Sequence, residues 1–276
     1  MSKLFLSCSL FFFSCQNLID NRKWIDSLPK PHLLSEKEFE VFLPQFKLKF
    51  PRYQDRLKAL NHWRIDTPYG LFCLGEETGI DKDPIIRNDS SDCTVHVLTT
   101  LAFAESDNYL DARNIMRRIH YKKNEIGRYI PSYKSRWHFT SDRILNHPKT
   151  TDITSEIIHK DSLETLNIEL NKKEDGSEFL DLGWTSEVEL KFLPIEKLSE
   201  KLLKILPEVC GVAFVKRSYF KLGIVIAHEG FLIDNFFLNH ASSELGKTVK
   251  VDLIKYIKTN EKFRFDGVMF YEFKES

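Results

Sequence analysis

Cys93 follows the polar run Asn88-Asp89-Ser90-Ser91-Asp92 and precedes Val95, Leu98, Leu101 and Ala102, which recur at three- and four-residue steps. That spacing predicts an apolar, buried helix with Cys93 in its first turn. The unpaired amides and dipole at a helix start favour an anion, so a thiolate there is more populated near neutral pH. The same amides can hold the oxyanion formed when sulfur attacks an amide carbonyl. A nucleophile of this kind also needs a histidine, delivered from another element, to take and return a proton. A cysteine at a helix start is as often a packing residue, so position alone does not decide.

The rest of the chain supplies elements able to position such a site. Ser35 and Glu38 have capping-box spacing and open a helical pattern with Phe39, Phe42 and Leu43 on one side. After Pro51, a second helical stretch runs from Tyr53 to Trp63, and Thr67-Pro68-Tyr69-Gly70 is a turn signal. A helix is expected over Tyr109 to Ile119, and an amphipathic one over Ile195 to Leu206 with Leu198, Leu202 and Ile205 inward. Strands are expected at Val212 to Val215, Leu222 to Ala227, Phe231 to Asn235, Phe236 to His240 and Val268 to Phe273. His228-Glu229-Gly230 reads as a hairpin-type turn between two of these strands. Helices first and an antiparallel sheet afterwards give an α+β fold.

The 276 residues hold 40 Lys and Arg against 40 Asp and Glu, a balance with no electrostatic footprint for nucleic acid. Lys3 and the apolar run Leu4 to Phe13 before Ser14-Cys15 form a secretory pattern, too short to span a bilayer. Residues 1–15 are therefore expected to be an export signal, 16–34 a tether and 35–276 a single domain. Cys73 and Cys210 have two readings, one disulfide or two small buried hydrophobes. His138, His147 and His159 are too widely spaced for a metal site, and no phosphate-cradling glycine loop is present, so neither metal nor cofactor is expected.

Asp92-Cys93-Thr94 and the apolar helix after it resemble the nucleophile motif of NlpC-type cell-wall peptidases. Leu222-Gly223-Ile224-Val225-Ile226 and His240-Ala241-Ser242-Ser243 resemble the strands that follow that motif. Thr67-Pro68-Tyr69, Arg136-Trp137-His138-Phe139 and Ser141-Asp142 narrow the resemblance to a branch long labelled as a domain of unknown function, which includes N-acetylmuramoyl-L-alanine amidases. It covers the chain from about Tyr53 onward. The resemblance implies a papain-like α+β fold and a cysteine amidase acting on peptidoglycan or muropeptides. It implies Cys93 as nucleophile, His240 as the orienting polar group, and Tyr69, Asp92, Arg136, His138 and Ser242 around the substrate. The Ser14-Cys15 ending resembles a lipoprotein signal, implying an envelope or periplasmic protein held to the membrane through lipid on Cys15.

One position departs from the pattern. The family base, a histidine just before the Leu-Gly-Ile-Val-Ile stretch, is replaced by Lys221. An ammonium with an ordinary pKa of about 10.4 is a poor proton acceptor near neutrality. His240 as the base, His96 one helical turn after Cys93, and loss of catalysis all remain open, while His228 is expected in a solvated turn. A catalytically impaired envelope lipoprotein that binds cell wall or a partner is the alternative reading.

Overall fold

The computed structural model describes residues 20–259 and 261–275. Cys15 and the secretory pattern lie outside the described residues. Residues 20–27 are helical (α1), and Trp24 meets Phe46 edge-on at 5.0 Å, so this part of the expected tether lies against the domain. Helices α2 (Phe39–Lys49), α3 (Tyr53–Trp63), α4 (Cys93–Glu105) and α5 (Tyr109–His120) follow. The Ser35–Glu38 capping box forms, ahead of a short 3-10 turn. Asp92 caps α4 by accepting from the Val95 amide at 2.8 Å, and Asn108 caps α5 in the same way.

A seven-stranded antiparallel sheet has the order β1-β2-β9-β3-β4-β5-β6. Its strands are β1 (Glu164–Leu170), β2 (Ser186–Pro194), β3 (Val209–Val215), β4 (Ile226–Ile233), β5 (Phe237–Ser242), β6 (Lys247–Asp252) and β9 (Gly267–Tyr271). A small hairpin, β7 (Lys258–Thr259) with β8 (Lys262–Phe263), lies apart from it. Strand alternation splits the apolar residues between the two faces. Phe231, Ile233, Ala213 and Met269 join Leu98, Leu101 and Phe103 in the core under α2–α5. Leu232, Leu238, Val212, Phe214 and Phe270 form a second core on the other face, beneath the helical turn Leu253–Tyr256.

Several expectations are corrected. The 195–206 segment is broken by Pro194 and Ser199 into a 3-10 turn, Ile195–Lys197, and one helical turn, Glu200–Leu203, leaving Ile205 61% exposed. Of the strand expected over Leu222 to Ala227, only Ile226 and Ala227 are extended, as the start of β4. A 3-10 helix, Arg217–Leu222, ends at Gly223 with φ +70°, where a Cβ would lie 2.4 Å from the Lys172 amide nitrogen. The chain there turns, which requires glycine. His228-Glu229-Gly230 is not a turn but the middle of β4. The hairpin sits instead at Asp234-Asn235, both at positive φ, the geometry of a two-residue primed turn. Cys73 lies in a loop and Cys210 is buried in β3; both are free thiols.

Gly211 of β3 pairs with Tyr271 of β9, whose ring lies flat across it; a Cβ at Gly211 would meet ring carbons at 2.1–2.4 Å. Gly211→Ala forces that ring away and is expected to cost roughly 1–3 kcal/mol. Urea unfolding checks this: the midpoint falls with the slope unchanged.

Candidate active site

Cys93 is the first residue of α4, which packs on β4 and β5. The Asp92 carboxylate fixes that terminus, accepting from Val95 N at 2.8 Å and, across the loop, from Phe72 N at 3.0 Å. Arg64, fully buried, donates to Ser91 Oγ at 2.8 Å and Thr100 Oγ1 at 3.2 Å, tying the approach to α4 to the helix itself. The Glu229 backbone amide donates to the Cys93 sulfur. The nucleophile candidate is therefore held one residue along β4 from His228.

His228 and His240 lie on the same face of β4 and β5, and His228 Nε2 stands 2.8 Å from His240 Nδ1. The β3–β4 register slips just before His228, between Phe214 and Val215, a device that re-aims a strand side chain. Phe214 and Phe265 stack on the His228 ring at 5.8 and 6.3 Å, and Tyr256 lies 4.6 Å from the His240 ring. Tyr69, His228, His240, Ser242, Tyr256 and Arg264 line a cavity of about 240 Å³. A negative charge on Cys93 raises the phenol pKa of both Tyr69 and Tyr256, so the sulfur is electrostatically part of the same site.

The electrostatics differ from the sequence expectation of a helix-stabilised thiolate. Burial, the Asp92 carboxylate and Glu229 push the Cys93 thiol up to about 12, outweighing the helix amides. Burial and the neighbouring His240 bring His228 down to about 3, and burial with the Arg264 charge brings His240 down to about 4. The resting site is a neutral thiol with neutral imidazoles. With one nitrogen of His228 bonded to His240, its Nδ1 is left for a proton transfer. A thiol in such surroundings can act as a nucleophile only if its proton leaves as the sulfur attacks.

Beneath it lies a buried ion pair. Glu229 Oε2 accepts from Arg143 Nη2 at 2.5 Å and Tyr271 Oη at 2.6 Å, and Oε1 from Thr94 Oγ1 at 3.0 Å and Thr140 Oγ1 at 3.1 Å. The carboxylate joins α4, α6 (Thr140–Asn146) and β9 to β4.

The other sequence candidates divide. Tyr69 and Ser242 line the cavity, and Tyr69 is stitched between Ser91 and Gly246 by backbone bonds. Asp92 acts through the helix cap. Arg136 is held by Glu76 and Asp81, away from the cavity lining, and His138 Nε2 bonds Tyr133 O at 2.6 Å. His96 packs inside, its Nε2 3.0 Å from Asn61 Oδ1 and its ring edge-on to Phe231. Lys221 is exposed on the 3-10 helix, not on a strand facing Cys93. His228, Glu229 and Arg143 escaped sequence reasoning. The missed signal was Asp234-Asn235, which as the hairpin turn would have kept His228 within a strand.

The fold is an α+β arrangement in which two bonded histidines on an antiparallel sheet line a cavity and a cysteine opens the helix packed on that sheet. The family model described as AmiA-like, N-acetylmuramoyl-L-alanine amidase-like, matches residues 61–265, and the chain belongs to that family. Its fold is similar to a Legionella pneumophila protein of family model DUF1460, at 22% identity and TM-score 0.70, covering 86% of this chain and 94% of that one. It is also similar to an N-acetylmuramoyl-L-alanine amidase from Bacteroides uniformis, at 21% identity and TM-score 0.58, covering 79% and 99%. No curated protein matches the sequence.

Two outcomes follow from the site. Alkylation of Cys93 by iodoacetamide is expected to be slow near neutrality and to keep rising beyond about pH 9, because only the thiolate reacts. A rate that levels off in mild acid would show a preformed thiolate instead. Glu229→Ala strands Arg143 without its charge partner and is expected to cost about 3–5 kcal/mol in chemical unfolding, part of it regained with Arg143→Met.

Proposed function

We propose that the protein is a papain-like cysteine amidase that cleaves the amide between the muramoyl lactyl group and L-alanine in peptidoglycan or its muropeptide fragments. The observation that carries the reading is the His228–His240 pair, set one residue from the amide that holds Cys93. Membership of an amidase-like family supports the choice of bond.

In this mechanism His228 Nδ1 takes the Cys93 proton as the sulfur attacks the lactyl carbonyl, and His240 holds the ring through Nε2. The tetrahedral oxyanion faces the start of α4. There Asp92 already engages the Val95 and Thr94 amides, leaving the Cys93 amide as first-turn donor. The protonated His228 returns its proton to the alanine nitrogen, the C–N bond breaks, and a muramoyl thioester remains on Cys93. Water, deprotonated by His228, cleaves the thioester and restores the thiol. No cofactor enters. The enzyme acts in the bacterial envelope, exported by its N-terminal signal and anchored through Cys15.

The impaired-binder reading rested on Lys221 in the base position, and the exposed place of Lys221 removes that motive. Incubation with purified muropeptides and mass spectrometry tests the proposal. The wild type and Lys221→Ala are expected to release peptides beginning with L-alanine, whereas Cys93→Ala and His228→Ala lose at least about 10³-fold in rate. No product from the wild type at any pH would sink it. Because His228 and His240 lie low, the acid limb of activity is expected between about pH 3 and 4, below the usual histidine range, since the bonded pair loses its base only when protonated.

A further inference from the structure

The cavity beside His228 and His240 also carries two cations that the proposed chemistry does not use, Arg264 and Lys216. The Arg264 guanidinium lies 5.1 Å over the Tyr256 ring, and its Nε is buried with no hydrogen-bond partner among the described residues. Its one ion-pair partner there is Glu244, 2.9 Å from Nη1, whose side chain is 67% exposed at the rim. Lys216 donates to the Arg264 carbonyl at 2.7 Å and has no carboxylate within ion-pair distance among the described residues. A single carboxylate 67% exposed to solvent is a weak counterion for two cations on one cavity wall. The wall is therefore built to receive an anion, and the planar guanidinium, its side chain 31% exposed on the cavity, matches a carboxylate.

We infer that Arg264, supported by Lys216, is the specificity-determining residue that receives a free carboxylate of the stem peptide. This rests on the amidase reading above. In a muropeptide the D-glutamate, one residue past the L-alanine, is linked through its side chain and leaves its α-carboxylate free. That group lies a few bonds from the scissile amide, a span suited to a cavity of about 240 Å³. Arg136, the sequence candidate for such a contact, is already occupied by Glu76 and Asp81.

The substitution Arg264→Gln removes only the guanidinium, because the backbone bonds Arg264 N to Ile257 O and Lys216 Nζ to Arg264 O persist. Two ligands differing in one group make the test: N-acetylmuramoyl-L-alanyl-D-glutamate and its D-isoglutamine amide. Binding to the Cys93→Ala protein is measured by calorimetry, and cleavage by the wild type by kcat/KM. The acid is expected to bind about tenfold tighter than the amide, with the difference in cleavage falling on KM, and Arg264→Gln to bring the two ligands level. Glu244→Gln is expected to tighten the acid alone. Equal affinity for acid and amide in the parent protein, or an Arg264→Gln change that weakens both equally, would overturn the assignment. The calorimetric arm reads the carboxylate preference even without turnover. Absent cleavage with a preserved preference would count against the amidase reading and not against Arg264.

Discussion

The carboxylate of Glu229 is the point at which the layers of this protein are joined. It sits on β4 with no exposed surface, takes one guanidinium from α6 and three hydroxyls from α4, α6 and β9, and lies behind the amide that bonds Cys93. A buried charge left unpaired is costly, so each partner must be in place for the fold to be stable. The same constraint sets the depth at which α4 rests on the sheet. Through that depth it sets where the sulfur stands relative to the next residue of the strand, His228. Gly211 belongs to this arrangement, since only a bare backbone lets the Tyr271 ring lie across β3 and reach Glu229.

Burial shapes the chemistry as strongly as position does. A helix start normally favours a thiolate, yet two nearby carboxylates and exclusion of water keep Cys93 protonated. The histidines are kept neutral by the aromatic rings packed around them, Phe214 and Phe265 on His228 and Tyr256 on His240. Neutral histidines add no further positive charge beside Arg264 and Lys216, and a protonated Cys93 is a poor target for oxidants, which attack the thiolate. In the proposed mechanism charge develops only when a substrate carbonyl is present, with the oxyanion at the start of α4.

Much of the fold was legible, because it followed from local rules. Ser35 and Glu38 form the capping box that their spacing implies, Asp92 caps the Cys93 helix, and Tyr53–Trp63 is helical with the boundaries its pattern suggests. The candidate site was legible only in halves. Cys93 and His240 stood out; Cys93 opens α4 and His240 lines the cavity, but the partner histidine did not stand out. Gly223 lies at the end of a 3-10 turn, a conformation set by its contact with the Lys172 backbone, 51 residues earlier by sequence number, and no local pattern reports that contact. Mistaking that turn for a strand displaced His228 into a supposed loop and put Lys221 in its place. Arg136 misled differently. Its type suits a ligand carboxylate, but Glu76 and Asp81, distant in sequence, already hold it.

The central claim is that Cys93 attacks a muramoyl carbonyl with His228 as its base. It is tested most directly by acid-quenching the protein within its first turnover on a muropeptide and mapping the covalent product by peptide mass spectrometry. The account predicts a muramoyl thioester on the peptide that contains Cys93, formed by the wild type and by Lys221→Ala but not by His228→Ala. Product released while no acyl group appears on Cys93, or an adduct that forms undiminished without His228, would contradict it.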